Sequence, residues 1–229
     1  MAFSDIWRMT VRGRGGHGSR PKDTIDLVLL ACHMVVRLQS VVSREVPPAR
    51  VRGGQRPVAT FHAGLNENVI PATAEFTINV RNLNADVRED VLAGLRRVIS
   101  AEALAPGARQ PQIEDAQRLR LVISDPETTD RVKAALGAAI DPENLLDHPA
   151  QMSSEDFGAL PDAIGVPGIY WFFGGMPDEV IDGDEPVPSN HSPLFAPIIE
   201  PTLITGVTTA YTAIRSRVGS GNGRDTGGA

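Results

Sequence analysis

Two of the five histidines in this sequence lie in loops whose composition suits a chemical site. His17 stands among four glycines in the run Gly13–Ser19, GRGGHGS, and glycine lets a backbone approach a ligand closely. His191 stands in Pro188–Pro193, PSNHSP, a loop that leads to the last helical segment. An imidazole can bind a metal ion or shuttle a proton. From residue type alone, each histidine is either such a site residue or a polar residue of a surface loop.

The spacing Gly13-x-Gly15-x-x-Gly18 also matches the dinucleotide-binding fingerprint. That fingerprint needs a helix that opens within the motif and an acidic residue at the end of the next strand. Here the next helix is predicted to begin several residues after Gly18, and the strand at 57–61 ends without an acid. The sequence therefore argues against a nucleotide site. A phosphate-binding loop is excluded as well, because no Gly-Lys-Ser/Thr sequence follows the glycines.

Other polar residues leave two interpretations open. Asn68, within Asn66–Pro71 between two strands, is either a turn residue or a ligand-binding amide. The acidic run Ser153–Asp156 is typical of the first turn of a helix capped by Ser153 or Ser154, although its carboxylates could also be ligands or a general base. The remaining histidines have no companion at ligand spacing and are interpreted as structural: His33, His62 and His148.

The elements that must position His17 and Asn68 follow from the spacing of apolar residues. Four strands are predicted from alternating or short apolar runs, at 6–12, 57–61, 75–81 and 112–115. Two helices separate them. The order β-α-β-β-α-β predicts a ferredoxin-like α+β sandwich over residues 4–115.

The caps and faces of these two helices are also predicted. The first helix runs from Asp23 or Thr24 to about Val42. Its apolar face is predicted to hold Ile25, Val28, Cys32, Val35 and Leu38. The second helix opens at Asp86, with Glu89 completing a capping box. One stripe of this helix carries Val87, Val91, Leu95 and Val98.

The second half of the chain reads as part of a larger α/β layer. A helix is predicted over 125–140, and the almost wholly apolar run 167–173 predicts a strand buried on both faces. A closing helix is predicted with four inward side chains: Leu203, Val207, Tyr211 and Ile214. The glycine-rich residues 219–229 are predicted to be disordered. One strand and a few helices are too little to close a sheet layer, so an exposed apolar patch is expected here.

Composition excludes several functional classes. The formal net charge of −6 argues against a nucleic-acid-binding protein, which normally carries a basic face. The single cysteine, Cys32, excludes an intramolecular disulfide, and its apolar helical context predicts a buried, inert thiol. No signal peptide or membrane-spanning run is recognised, so a cytoplasmic protein is expected.

Taken together and in order, five motifs resemble a known series. They are Gly13–Pro21, Asn68–Pro71, Arg81, Ser154–Phe157 and Asn190–Pro193. They are similar to those of the metallopeptidase family that contains aminoacylases, hippurate hydrolases and glutamate carboxypeptidases. The nearest resemblance is to the bacterial N-acyl-amino-acid amidohydrolases, and it covers about residues 4–217.

This resemblance implies a role for each matched residue. His17 corresponds to a lid histidine that stabilises a tetrahedral oxyanion, often in the partner subunit's active site. Asn68 and Arg81 correspond to lid residues that hold the substrate carbonyl and carboxylate. His191 corresponds to the last protein ligand of a two-metal centre, usually zinc or manganese. These roles agree with the chemistry of fixed donors, guanidinium forks and paired metal ions.

The resemblance also implies a domain organisation. Residues 4–115 correspond to a lid domain that mediates homodimerisation, residues 116–218 to the C-terminal part of an α/β catalytic domain, and residues 219–229 to a tail.

The sequence departs from the family in its catalytic half. The family has a His-or-Cys-x-His-or-Asp ligand motif and a Glu-Glu pair that holds the general base, and neither pattern occurs here. Three alternatives are therefore open. The chain is an incomplete and inactive portion of a metal-dependent amidohydrolase, a non-catalytic dimerisation or interaction protein, or one half of a split enzyme.

Overall fold

The computed structural model describes residues 1–46 and 56–218. The tail predicted to be disordered, 219–229, lies outside the described residues. The chain divides into two compact units. Unit 1 consists of residues 1–122 and 149–165. Unit 2 consists of residues 123–148 and the chain from 166 onward, which is described to Val218.

Unit 1 is built on a four-stranded antiparallel sheet with a small two-stranded sheet beside it. In chain order the strands are β1 (Phe3–Arg12), β2 (Gly16–His17), β3 (Arg56–Ala63), β4 (Val69–Ile70), β5 (Thr73–Asn82) and β6 (Gln112–Leu119). The large sheet has the order β3-β5-β1-β6, and β2 pairs with β4. All four predicted strands are present, and each is longer than its sequence pattern indicated. The two-residue strands are too short to leave a periodic pattern.

Two helices cover the large sheet, α1 (Leu27–Ser40) and α2 (Ala85–Leu104). Both predicted caps are wrong by a few residues. Asp26 caps α1, with its carboxylate accepting from the amides of Val28 and Leu29 at 3.0 Å, because the preceding residues Pro21–Asp23 form a 3₁₀ turn. Asn84 caps α2 through the amide of Val87 at 3.0 Å, which places Asp86 inside the first turn.

The core of unit 1 lies between these helices and the sheet. The predicted stripe of α2 is confirmed, since all four of its side chains are buried. The predicted face of α1 is only partly right, because Leu38 is buried and Ile25 and Val35 pack half-buried against the core, whereas Val28 and Cys32 are exposed. The expectation of a buried Cys32 thiol is therefore wrong. The buried side chains of α1 are Leu27, Leu30, Ala31, Met34 and Leu38. Because α1 is apolar on more than one face, packing against the sheet selected the stripe with the larger side chains.

A buried ion pair ties β1 to α2. Arg88 donates from Nε and Nη2 to the two carboxylate oxygens of Asp5, each at 2.6 Å. The side chains are only 10% and 1% exposed. The hydrogen bond to Asp5 is the main cause that raises the pKa of Arg88 above its ordinary value. The guanidinium also lies over the ring of Phe3, 5.2 Å from its centroid.

The segment 149–165 belongs to unit 1. The amide of Ala2 donates to the carbonyl of Ser153 at 2.9 Å. The helix of this segment, α4, spans Ala159–Ile164 and has no side-chain cap. The expectation that Ser153 or Ser154 caps a helix over the acidic run is therefore wrong. Instead, the carbonyl of Ser153 accepts from Ala2, just before β1, and residues 156–158 form a turn closed by the amide of Ala159.

Unit 2 contains α3 (Pro126–Ala139), α5 (Asp178–Ile181) and α6 (Thr202–Val218). Asp125 caps α3 with a bond of 2.8 Å from the amide of Thr128, and the helix lies where the sequence predicted it. The apolar run 167–173 does not form a strand. Its backbone bonds to Ser124 and Asp125, because the described residues of unit 2 offer no neighbouring strand with which it could form a ladder.

The inward face of α6 also differs from the prediction. The buried residues of this helix are Thr209 and Ala213, and the α3 residues Val132 and Leu136 pack against the latter. The four side chains predicted to be inward are exposed: Leu203, Val207, Tyr211 and Ile214. The exposed apolar patch expected on this half of the chain is therefore present.

One helical stretch among the described residues, Leu27–Glu45, has the length and hydropathy of a membrane span. Leu27, Met34 and Leu38 are fully buried against the sheet of unit 1, whereas Leu29 and Val36 are exposed. A helix with one buried stripe of this kind packs against a core.

Candidate functional site

The candidate site in unit 1 is the two-stranded antiparallel sheet of β2 and β4, which we name the β2–β4 hairpin although β3 lies between these strands in the chain. Gly16 pairs with Ile70 and His17 pairs with Val69. The amide of Gly18 donates to the carbonyl of Asn68 at 2.8 Å. The structure thus brings His17, on β2, close to Asn68, in the turn before β4, although they are far apart in sequence.

The glycines of this loop serve close packing of backbone against backbone. A Cβ atom at Gly15 would lie 2.6 Å from the carbonyl oxygen of Ile70 and 2.9 Å from the amide nitrogen of Ala72. A Cβ atom at Gly18 would lie 3.3 Å from the carbonyl oxygen of Asn68. The first α-helix after the loop begins only at Leu27, nine residues after Gly18 and outside the glycine motif. This geometry explains the glycine spacing without a nucleotide.

His17 presents an exposed imidazole with one edge bound to its own loop. A tight turn closed by the amide of Arg20, which donates to the carbonyl of His17 at 2.9 Å, folds Ser19 back over the ring. The amide of Ser19 lies 3.1 Å from Nδ1, and its hydroxyl lies 2.8 Å from the same atom. The ring is therefore held by Nδ1, and its Nε2 edge is the edge that can meet a ligand.

Asn68 lies in the exposed turn that leads into β4. The amide of Val69 donates to the carbonyl of Asn66 at 3.3 Å and closes this turn. The backbone carbonyl of Asn68 accepts from Gly18, so the position of the residue is fixed by the hairpin. Asn68 is therefore a turn residue, and its backbone is hydrogen-bonded to the loop that carries His17.

Arg81 lies at the opposite end of the large sheet. It pairs with Ser4, whereas Thr73, at the hairpin end of β5, pairs with Arg12. Eight residues of extended strand separate Thr73 from Arg81, which corresponds to roughly 26 Å. The structure does not bring Arg81 together with His17 and Asn68. It brings Arg81 to the segment 149–165, where Nη1 donates to the carbonyl of Met152 at 2.9 Å.

His191, in unit 2, has an unusual backbone. Its φ of +70° lies in the left-handed region, and no other non-glycine among the described residues has a positive φ. Two bonds shape this loop: the amide of Ser192 donates to the carbonyl of Ser189 at 3.1 Å, and the amide of Leu194 donates to the hydroxyl of Ser192 at 3.2 Å. The imidazole is exposed. A left-handed backbone at a bulky residue is often retained for function.

The described residues do not by themselves fit a metal ion. In residues 1–46 and 56–218 there is no group of three or more His, Cys, Asp or Glu side chains arranged to hold one. A catalytic zinc normally has three protein ligands, and His191 offers one.

Sequence reasoning missed three contributors to this site. Ser19 was not singled out, although a serine two residues after a glycine-flanked histidine is well placed to bond back to its ring. The β2–β4 pairing left no pattern because each strand has two residues. The carbonyl of Met152 carries no side-chain signal at all, so its contact with Arg81 could be found only from the structure.

Comparisons with known proteins agree with the family resemblance. Residues 6–105 match the family model described as a peptidase dimerisation domain. The chain is 30% identical over 185 residues to an N-acetyldiaminopimelate deacetylase of Streptococcus suis, which covers 81% of this chain and 46% of that protein. It is 28% identical over 176 residues to thermostable carboxypeptidase 2 of Saccharolobus solfataricus, covering 76% and 42%. The chain thus spans less than half the length of these two relatives.

The fold is similar to that of solved structures as well. A dinuclear metal-binding peptidase of the M20 family, the YxeP protein of Bacillus subtilis, superposes with a TM-score of 0.64. The match covers 95% of this chain and 50% of that one, with 21% sequence identity. At that identity the likeness concerns the fold alone, which is a mixed α/β architecture with a dimerisation domain.

Proposed function

We propose that the chain forms part of a metal-dependent amidohydrolase, because residues 6–105 match the peptidase dimerisation domain and most of the chain is similar to a carboxypeptidase and to an N-acetyldiaminopimelate deacetylase. In this proposal unit 1 is the ferredoxin-like lid, whose strand order β3-β5-β1-β6 supports that topology. The substrate is an N-acyl-amino acid or a small peptide. The β2–β4 hairpin that joins His17 to Asn68 is the observation that carries the proposal.

The hairpin suits stabilisation of a developing oxyanion. Hydrolysis of an amide passes through a tetrahedral species whose oxygen becomes negative, and fixed donors aimed at that oxygen lower the barrier. The imidazole of His17 is anchored at Nδ1 and exposed, so its other edge can serve as such a donor. The side-chain amide of Asn68, on the same hairpin, is assigned to the substrate carbonyl.

Arg81 is assigned to the substrate carboxylate. A guanidinium has five N–H groups, and the bond to Met152 occupies one of them. A carboxylate suits a bidentate guanidinium. However, an extended N-acyl-amino acid spans only about 10 Å. Because His17 and Arg81 stand at opposite ends of the sheet, one substrate cannot contact both on the same lid, and each active site must draw on two copies of the chain.

We infer that the second copy docks on the outer face of α1. Its exposed stripe follows helical spacing and includes Leu29 and Val36, which are 58% and 73% exposed, together with Val28 and Cys32. Helix α1 contacts β3, which is an edge of the four-stranded sheet, and an open edge can pair with its own copy. The match to a dimerisation domain supports a second copy of this chain as the occupant.

Val36→Asp tests this surface. The charge would be buried in the interface, so the dimer dissociation constant is expected to rise at least about tenfold. Leu65→Asp is the matched control, because Leu65 is 99% exposed on a loop of the same unit. Analytical ultracentrifugation measures both variants. If both variants weaken the dimer equally, or if the wild-type chain is a monomer, the outer face of α1 is not the dimer interface.

His191 is assigned as one ligand of a zinc or manganese centre, and the other ligands and the general base are expected from outside these 229 residues. The chain is therefore either an incomplete portion of the enzyme or one half of a split enzyme. In both cases the chain alone is expected not to hydrolyse hippurate or N-acetyl-amino acids. A hybrid in which it replaces the matched part of the Streptococcus suis deacetylase is expected to bind metal and hydrolyse amides. Turnover by the isolated chain, or a folded, metal-loaded hybrid without turnover, would contradict the proposal. A cytoplasmic location is expected.

A further inference from the structure

One residue, Ser19, directs two polar groups at a single nitrogen of His17. Its backbone amide lies 3.1 Å from Nδ1 and its hydroxyl lies 2.8 Å from the same atom. The turn closed by Arg20 and His17 at 2.9 Å brings Ser19 into this position.

The backbone amide of Ser19 determines the donor and the acceptor in both hydrogen bonds to Nδ1 of His17. A backbone N–H can only donate, so Nδ1 must offer its lone pair. A proton on Nδ1 would point at the proton of the Ser19 amide, and that bond would become a repulsive contact. The hydroxyl can rotate and therefore donates to the same lone pair. In the neutral ring the proton must then reside on Nε2.

We propose that Ser19 is a positioning residue that holds His17 in the tautomer protonated at Nε2. The inference rests on the proposed function, in which His17 donates to an oxyanion. Only a ring with its proton on the exposed edge can make that donation without first exchanging a proton with water. The same arrangement keeps Nδ1 from acting as a metal ligand or a base, because its lone pair is already engaged.

The tautomer can be measured on the 229-residue chain with ¹⁵N-labelled histidine. Long-range proton–nitrogen spectra at a pH where the rings are neutral distinguish the two forms, and His17→Gln identifies the signals of His17. The wild-type ring is expected to be predominantly protonated at Nε2. Ser19→Ala removes the hydroxyl and keeps the amide. It is expected to raise the minor tautomer about two- to tenfold, the factor that one net hydrogen bond supplies.

Two further variants separate the role of Ser19 from a general effect on the loop. Ser19→Thr keeps the hydroxyl and is expected to restore the wild-type ratio. Thr24→Val removes a neighbouring loop hydroxyl, which donates to the carbonyl of Pro21 at 2.7 Å, and is expected to leave the ratio unchanged. A ring protonated mainly at Nδ1 in the wild-type chain, or a ratio unaltered by Ser19→Ala, would overturn the inference.

Failure of the tautomer proposal can be distinguished from failure of the proposed function, because the tautomer of His17 is measured without any catalytic assay. In the hybrid enzyme, Ser19→Ala is expected to lower kcat by less than His17→Gln does and to leave KM unchanged. If the tautomer is as expected but His17→Gln leaves kcat intact, the proposed function fails and the positioning role of Ser19 stands.

Discussion

Replacement of Gly15 by alanine is expected to open the β2–β4 hairpin that carries His17. The added Cβ would lie 2.6 Å from the carbonyl oxygen of Ile70, 2.9 Å from the amide nitrogen of Ala72 and 3.1 Å from the carbonyl carbon of Pro71. All three are backbone atoms, so no side chain can rotate away. The two segments must separate instead.

The size of the effect follows from these distances. A tolerable contact requires a separation of about 3.2 Å or more, so the segments must move apart by about 0.6 Å. The bond from the Gly18 amide to Asn68, now 2.8 Å, would stretch to about 3.4 Å and lose most of its strength. Loss of one or two such bonds with local overpacking corresponds to about 1–3 kcal/mol. The hairpin amides should then exchange about 5- to 150-fold faster.

Native-state hydrogen exchange at the Gly18 amide measures this opening directly. Gly174→Ala is the matched control, because a Cβ at Gly174 meets nothing within 4 Å and its φ is not positive. The control is expected to leave hairpin exchange unchanged. Equal exchange at Gly18 in the wild-type and Gly15→Ala chains would refute the close-packing explanation of the glycine loop.

Three further predictions concern stability in the two units, each followed by urea unfolding. Arg88→Met leaves the carboxylate of Asp5 buried without its main partner and is expected to lower the unfolding free energy of unit 1 by about 3–5 kcal/mol. The double variant Arg88→Met with Asp5→Leu is expected to recover most of this loss. An additive loss in the double variant would contradict the prediction. Hydrogen bonds from Thr128 lower the pKa of Asp125 below its ordinary value of 3.8. The contribution of Asp125 to the stability of unit 2 is therefore present above that value and is lost as the pH falls through the lowered pKa. Asp125→Asn should reduce this acid sensitivity, and an unchanged dependence of stability on pH would count against the prediction. His191→Gly should be more stable than His191→Ala by about 1 kcal/mol, because only glycine accepts a φ of +70° without strain; equal stabilities would show that the loop relaxes.

The two tryptophans allow the units to be followed separately in these experiments. Trp7 is buried in the core of unit 1, and Trp171 packs against the small core of unit 2. Trp7→Phe therefore leaves a fluorescence signal from unit 2, and Trp171→Phe leaves one from unit 1.

The large sheet of unit 1 was predictable because its strands alternate over many residues. In β5, Phe76, Ile78 and Val80 are buried and their neighbours are less so, which is the period-two pattern that the sequence shows. The stripe of α2 was predictable for the same reason. The face of α1 was predictable only in part, since apolar residues occupy several of its faces and packing against the sheet decides which of them are buried.

Unit 2 shows what local patterns cannot supply. The run 167–173 has the composition of a buried strand, but a strand exists only if another strand pairs with it, and that partner is not a property of the run. Likewise Tyr211 and Ile214 were expected to be inward, whereas contact with α3 buries Thr209 and Ala213 instead.

For the candidate site, the sequence identified residue types but not their arrangement. His17, Asn68 and Arg81 could be named from motif resemblance. The pairing of His17 with Val69, the anchoring of its ring by Ser19 and the separation of Arg81 from both depend on strand register. Register is set by contacts among segments distant in sequence, so it became visible only in the folded chain.

The most direct test of the central claim is the kcat of the hybrid enzyme with and without the imidazole of His17. Loss of a single oxyanion donor is expected to lower kcat about 10²- to 10³-fold with little change in KM. His148→Gln, which alters an exposed histidine of unit 2, is the control and should leave kcat unchanged. A kcat for His17→Gln equal to that of the parent hybrid would contradict the assignment of the β2–β4 hairpin as the oxyanion-stabilising element.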